Sequence, residues 1–299
     1  MPIELCNITV DEFRRVAHFP HRSLIAARPE MPVRQALSTM SINNITCLPI
    51  YSHDHNKGVQ AIITLLDILD YILRYASVEN HAVTLEAKKL SDPIENVTRL
   101  DADAESYRMY YIEGWEKMEV SIKAFASGYH HVLVNDSTPW ILSQSDIIRY
   151  IYSHPESIPN EICVKSLSDY EKTLVTARDD MTAIEVLRKM SDAKLSSLPI
   201  INSENEIAAN MSLSDLRGIT LQGIQRLGLP AIDYLKIHGW RRIENRKSTD
   251  PVALPKSGVI IDSIQLMARL KVHRVWVLIE RKPIGVVSIT DVMKLLAEL

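Results

Sequence analysis

Four times along the chain a short apolar strand runs into a hydroxyl residue, two spacers, an aspartate and then an apolar stretch with helical spacing. The copies are Thr64-Leu65-Leu66-Asp67, Ser143-Gln144-Ser145-Asp146, Ser212-Leu213-Ser214-Asp215 and Ser288-Ile289-Thr290-Asp291, with aspartates 79, 69 and 76 residues apart. Repetition on that scale makes each copy one supersecondary unit, too small to hide its apolar faces alone. The fold must therefore arise by packing copies together. Adjacent copies are the first partners to expect, the first with the second and the third with the fourth.

Within a copy the pattern reads helix, strand, turn, strand, helix. In the first, Ile45 to Ile50 precedes a polar turn over Ser52 to Gly58, then Val59 to Ile63 and a helical stretch from Leu66 to Tyr75. The last repeats this as Val272 to Ile279, a turn over Glu280 to Pro283, Ile284 to Ile289, and Asp291 to Leu299. β-rich runs bounded by turn residues and followed by helical periodicity support the assignment. Preceding helices show as Val33-Ala36-Leu37-Met40, Thr182-Ile184-Leu187-Met190 and Ile261-Ile264-Met267-Leu270, with a weaker version over Ile122 to Ala126.

This gives an N-terminal extension over 1–23, copies over 24–78, 79–154 and 155–220, and a connection plus the fourth copy over 221–299. His154-Pro155 and Ile158-Pro159 place the seam between pairs at Ser153 to Asn160. Leu221 to Arg242 is a longer apolar and basic connection, broken by Gly223, Gly228-Leu229-Pro230 and Gly239.

The motif has two readings. A Ser or Thr before a helix with an acid three residues on is a capping box and suits the helix dipole. The same geometry puts an aspartate where a strand ends, able to aim both carboxylate oxygens at the vicinal hydroxyls of a ribose. Asp67, Asp146, Asp215 and Asp291 are thus candidate ribose ligands, with Thr64, Ser143, Ser212 and Ser288 beside them. Aligning the first strands puts Thr46-Cys47, His130-His131, Ser196-Ser197 and His273-Arg274 at one position. Arg274 is the strongest phosphate candidate, its guanidinium being permanently charged and forked. His273, His130 and His131 are further donors, which gather around one phosphate if the even-numbered copies face a shared centre, and Lys194 lies just before the third copy's first strand.

Catalysis finds little support. The acids are too regularly spaced to announce a catalytic pair, and the nine glycines form neither a P-loop nor a dinucleotide fingerprint. Ser23 and Ser41 lack a base arrangement. His53-Asp54-His55 reads as a polar loop rather than a metal site. Trp115, Trp140, Trp240 and Trp276 read as packing or interface residues, with Trp276 on the face of Arg274. A formal net charge of −3 steers the molecule towards neither nucleic acid nor anionic lipid. Cys6, Cys47 and Cys163 form no disulfide framework. No apolar run spans a bilayer and no signal-peptide core opens the chain, so the expected place is cytoplasmic or also nuclear.

The four S/T-x-x-D motifs, Leu48-Pro49-Ile50, Leu198-Pro199-Ile200 and especially Val272-His273-Arg274 resemble a four-copy CBS-domain protein, in organisation the gamma regulatory subunit of AMP-activated/SNF1-type protein kinase. The resemblance covers about residues 20–299. It implies an α/β (α+β) fold of four CBS repeats paired into two Bateman modules packed as a disk. It implies further a non-catalytic, energy-sensing protein with AMP, ADP or ATP as regulatory ligand, motif aspartates on the ribose, and His273, Arg274, His130 and His131 on phosphate. Kinase catalytic and scaffold subunits, or self-association, are the implied partners. Departures are His131 and Thr46 where that subunit carries arginine, Lys194 in place of another basic residue, and an intact Asp146. A ligand-independent scaffold and a sensor of another adenosyl or ribose-containing ligand stand as alternatives.

Overall fold

A computed structural model of the chain describes residues 5–18, 24–54, 57–79, 82–98, 109–238 and 250–299. Ser23, His55, Gly239, Trp240 and Arg242, singled out above, lie outside them.

Each copy is built on an antiparallel strand pair joined by a turn: Cys47–Tyr51 with Val59–Thr64, His131–Asn135 with Trp140–Ser143, Ser197–Ile201 with Ile207–Ser212, and Arg274–Ile279 with Lys282–Ser288. A helix precedes each pair: Val33–Ile42, Met118–Ala126, Ala183–Asp192 and Ile260–Leu270. The sequence pattern omitted one element. Tyr110–Glu113, Ala177–Arg178 and Ala253–Pro255 each run parallel to the first strand of their copy, and an Ala27–Ile50 parallel bridge does the same in the first. Two parallel strands need a crossover, and the preceding helix supplies it. These added strands are two to four residues long, too short for alternation to reveal.

The helix after the motif forms in three copies, as Leu65–Tyr75, Gln144–Ser153 and Ile289–Ala297. The third departs from the expected pattern. Its motif opens only a 3-10 turn, Leu213–Leu216, because Gly218 follows in the left-handed region (φ 71°) and Thr220 caps a new helix, Leu221–Gln225. Gly223 lies inside that helix rather than breaking it.

The chain forms two compact units, and they do not follow chain order. Unit one comprises Met1–Leu24, Met109–Leu174 and Val252–Leu299; unit two comprises Ile25–Arg108 and Val175–Pro251. Each combines alternate copies, second with fourth and first with third, where the repeat spacing suggested neighbours. In unit one, Met118–Ala126 packs on Ile289–Ala297, and Gln144–Ser153 packs on Ile260–Leu270. Their shared core includes Ile122, Phe125, Ile147, Ile151, Ile264, Val292 and Leu296, all essentially inaccessible. In unit two, Leu65–Tyr75 meets Ala183–Asp192 and the 3-10 turn around a core including Leu37, Ile68, Ile72, Val186 and Leu187. Stripes of three to five buried apolar side chains on each helix drive this pairing.

Two boundary expectations change accordingly. Ser153 to Asn160 does end a helix, at Ser153, yet it lies inside unit one, since Ile158 within it and Ile162 and Leu167 beyond it enter the same core. The segment from Leu221 is likewise no linker: Ile224, Leu227, Ala231, Tyr234 and Leu235 are buried in unit two. The N-terminal helix Val10–Val16, capped by Thr9 and Glu12, inserts Val10 and Phe13 into the core of unit one.

Candidate functional site

All four S/T-x-x-D motifs are capping boxes. In each, the backbone N–H of the hydroxyl residue donates to Oδ2 of the aspartate at 2.8 Å. The hydroxyls of Thr64, Ser143 and Ser288 donate to the same oxygen at 2.8, 2.6 and 2.6 Å, and that of Ser212 at 3.4 Å. The cap therefore engages Oδ2 in every copy. The second oxygen differs between copies. Oδ1 of Asp146 pairs with Arg149 one turn on, whereas Oδ1 of Asp291 has no hydrogen-bond partner among the described residues. Asp215 is buried, and Asp67, Asp146 and Asp291 are partly exposed.

The aligned strand positions are equivalent in three dimensions. Cys47, His131, Ser197 and Arg274 each open their strand directly opposite the motif hydroxyl of the partner strand, Thr64, Ser143, Ser212 and Ser288. The residue before each, Thr46, His130, Ser196 or His273, accepts through its carbonyl from the residue after that hydroxyl, at 3.0–3.2 Å. Strand pairing thus puts each candidate phosphate donor beside its own copy's cap.

Unit one brings two such corners together. Gln144, a motif spacer only 6% exposed, spreads its amide N–H groups over the carbonyls of Phe125 (3.2 Å) and Tyr129 (3.1 Å) and the hydroxyl of Thr290 (3.1 Å). Thr290 is a spacer of the fourth motif, so the two motif helices are joined at their N-termini across 146 residues of chain. The sequence reading missed both residues. The signal was there: Gln144 is polar where the other copies have Leu65, Leu213 and Ile289.

Around this junction stand His130, His131, His273 and Arg274. His131 is pushed down to about 3, first by burial and then by the nearby His130 and His273. His130 is lowered by burial and by the charge of Arg274. Arg274 is brought down to about 10 by burial, against the favourable charge of Asp291. Surface accessibility leaves His130 exposed and Arg274 half-buried. Neighbouring groups shield both side chains while part of each still touches water. The cluster is positive and rich in donors, matching a phosphate.

The corresponding corner of unit two is uncharged at the aligned positions. Thr46, Cys47, Ser196 and Ser197 stand there, Ser197 donates to Asn210 at 2.6 Å, and burial pushes the Cys47 thiol up to about 12. Lys194 belongs to this unit, where its ammonium pairs with Asp70 at 3.3 Å. Trp140 and Trp276 are buried and Trp115 is exposed. His53 contacts Glu95 at 2.7 Å, and the described residues contain no cluster of three or more His, Cys, Asp or Glu able to hold a metal. Among them no helix is long and apolar enough to cross a membrane.

The CBS-domain family model matches residues 16–74, 164–220 and 243–298, more than half of the chain. The chain belongs to the CBS-domain family. Among solved structures, a Methanocaldococcus jannaschii protein described as a candidate archaeal homolog of g-AMPK superposes with a TM-score of 0.67 at 18% identity, over 96% of this chain and 99% of that one. A conserved Pyrococcus horikoshii protein gives 0.52 at 13% identity, over 84% and 91%. These likenesses are of fold. Among curated proteins the chain is similar to Protein SDS23 of Kluyveromyces lactis, 25% identical over 92% of this chain and 60% of that protein. It is also similar to Protein SDS23 of Saccharomyces cerevisiae, 22% identical over 85% and 53%. The chain therefore spans little more than half the length of the curated relatives it matches.

Proposed function

We propose that this CBS-domain protein is a non-catalytic regulator that binds an adenine nucleotide, AMP, ADP or ATP, at the motif corner of unit one. The observation that carries the reading is the strand register setting His131 opposite Ser143 and Arg274 opposite Ser288, with His130 and His273 alongside. In this reading Asp291 offers Oδ1 to a ribose while its Oδ2 holds the cap, and Arg274 with the histidines takes the phosphate. Asp67 and Asp215 of unit two stand beside uncharged side chains, so their corner favours ribose without phosphate. The likeness to the archaeal candidate g-AMPK homolog supports an energy-sensing role beside protein-kinase subunits.

Binding regulates only if the ligand prefers one of two arrangements of the protein. Calorimetry on nucleotide-stripped protein with AMP, ADP, ATP and S-adenosylmethionine tests the ligand, and AMP against adenosine on Arg274→Ala tests the phosphate anchor. Saturable AMP binding is expected. A charged hydrogen-bond pair is worth about 1.5–3 kcal/mol, so the variant should lose tenfold or more in AMP affinity and keep its adenosine affinity. A folded protein that binds none of the four would sink the nucleotide reading.

A further inference from the structure

Among the described residues at the aligned strand starts, the phosphate corner of unit one holds three imidazoles and the guanidinium of Arg274. His131 opens its strand opposite Ser143 and Arg274 opens its own opposite Ser288, with His130 and His273 one residue before them, and the Gln144–Thr290 hydrogen bond ties the two motifs together. The rings therefore neighbour one another and the guanidinium, His130 being influenced by Arg274 and His131 by both His130 and His273. The facing carboxylates do little to relieve this. Asp146, from the helix Gln144–Ser153, is paired with Arg149, and Asp291, from Ile289–Ala297, favours the charge of Arg274. Glu119 and Lys123 on the helix Met118–Ala126 pair with each other at the surface. From the turn Leu167–Tyr170, Tyr170 is itself pushed up to about 12 by burial and then by Asp291, and so stays uncharged.

We propose that this corner is a proton-coupled phosphomonoester site, whose affinity rises as the pH falls from about 8 to about 6.5 because the imidazoles take up a proton when the phosphate binds. The inference rests on the nucleotide reading above and adds its regulation. Without a phosphate, protonating a ring adds a like charge to a crowded cationic group. A bound dianion reverses the sign of that interaction and favours the imidazolium. The proton comes from solvent and stays on the ring, so binding and acidification reinforce each other by linkage. The phosphate's own second ionisation, near pH 6, acts in the opposite sense and sets the lower limit of the range.

The test is calorimetric titration of the full chain with AMP and with adenosine at pH 7.2, in two buffers of different ionisation heat. The apparent enthalpies then give the number of protons exchanged. Uptake of about half a proton or more is expected with AMP, with none for adenosine, and a severalfold gain in AMP affinity from pH 8 to 6.5. His131→Gln, His130→Gln and His273→Gln, each checked for folding by circular dichroism, should weaken AMP binding and include at least one folded variant that takes up fewer protons per AMP bound. Equal proton numbers for AMP and adenosine would overturn the coupling and leave nucleotide binding standing. So would an uptake unchanged in every folded variant. Failure of both ligands to bind would remove the nucleotide reading itself.

Discussion

Replacing Gln144 by Ala should destabilise unit one by about 2–4 kcal/mol. The side chain is 6% exposed and its amide reaches three acceptors. After truncation the Phe125 carbonyl keeps the N–H of Gly128 at 3.2 Å, while the Tyr129 carbonyl and the Thr290 hydroxyl lose this partner. Two bonds at roughly 0.5–1.5 kcal/mol each, plus the void left by the side chain, give that range. Trp115, Trp140 and Trp276, three of the four tryptophans, belong to unit one, so tryptophan fluorescence during urea unfolding reports chiefly on this unit. With a slope of about 1–3 kcal/mol per molar urea, the midpoint should fall by about 1 M or more. Thr290→Val completes a double-mutant cycle, with an expected coupling of about 0.5–1.5 kcal/mol. If the two changes add to within about 0.3 kcal/mol, the amide does not join the second and fourth copies, and the reason given for their motifs meeting is wrong.

Gly285→Ala would set a Cβ against the Tyr170 carbonyl, 2.9 Å from its carbon, where Lys172 donates to the Ile284 carbonyl at 3.0 Å. Backbone must shift, and a loss of about 1–3 kcal/mol in denaturant unfolding is expected; unchanged stability would refute the close approach. Lys194→Ala removes a 71% exposed ammonium from an ion pair with Asp70, so stability should change by less than about 1 kcal/mol. Its AMP affinity should stay within about twofold of the parent, since Arg274 carries the charge-assisted phosphate contact; a tenfold loss would make Lys194 a phosphate ligand. Acidification should weaken the nucleotide-free unit one. His131 titrates lower folded than unfolded, so the unfolded chain binds more protons between about pH 6.5 and 3 and stability falls as pH drops through that window. Urea midpoints at pH 7 and 5 should show the loss and His131→Gln should flatten it; an equal slope in the variant would dismiss His131 as its source.

Sequence reading was most reliable where the cause is local. A hydroxyl and an acid three residues apart meet on the first helical turn whatever surrounds them, so four capping boxes could be read from the chain. The repeat also brought the four strand starts into alignment, and in the structure the hairpin register sets each of them opposite its motif hydroxyl. The equivalence of the four strand starts could be read from the repeat, whereas the pairing of His131 with Ser143 and of Arg274 with Ser288 came from the structure. The third copy was misjudged for an equally local reason, the helix-ending Gly218 just past its motif.

Tertiary structure decided which copies share a core. The apolar stripes of the four copies are similar in period and strength, so hydrophobic patterning alone cannot prefer a neighbour over an alternate partner. That choice depends on how side chains interlock across helices far apart in sequence, as with Gln144 and Thr290. From sequence alone the protein has four capped aspartates and four unequal strand starts. Only packing joins the second copy to the fourth, and so assembles His130, His131, His273 and Arg274 into one positive corner.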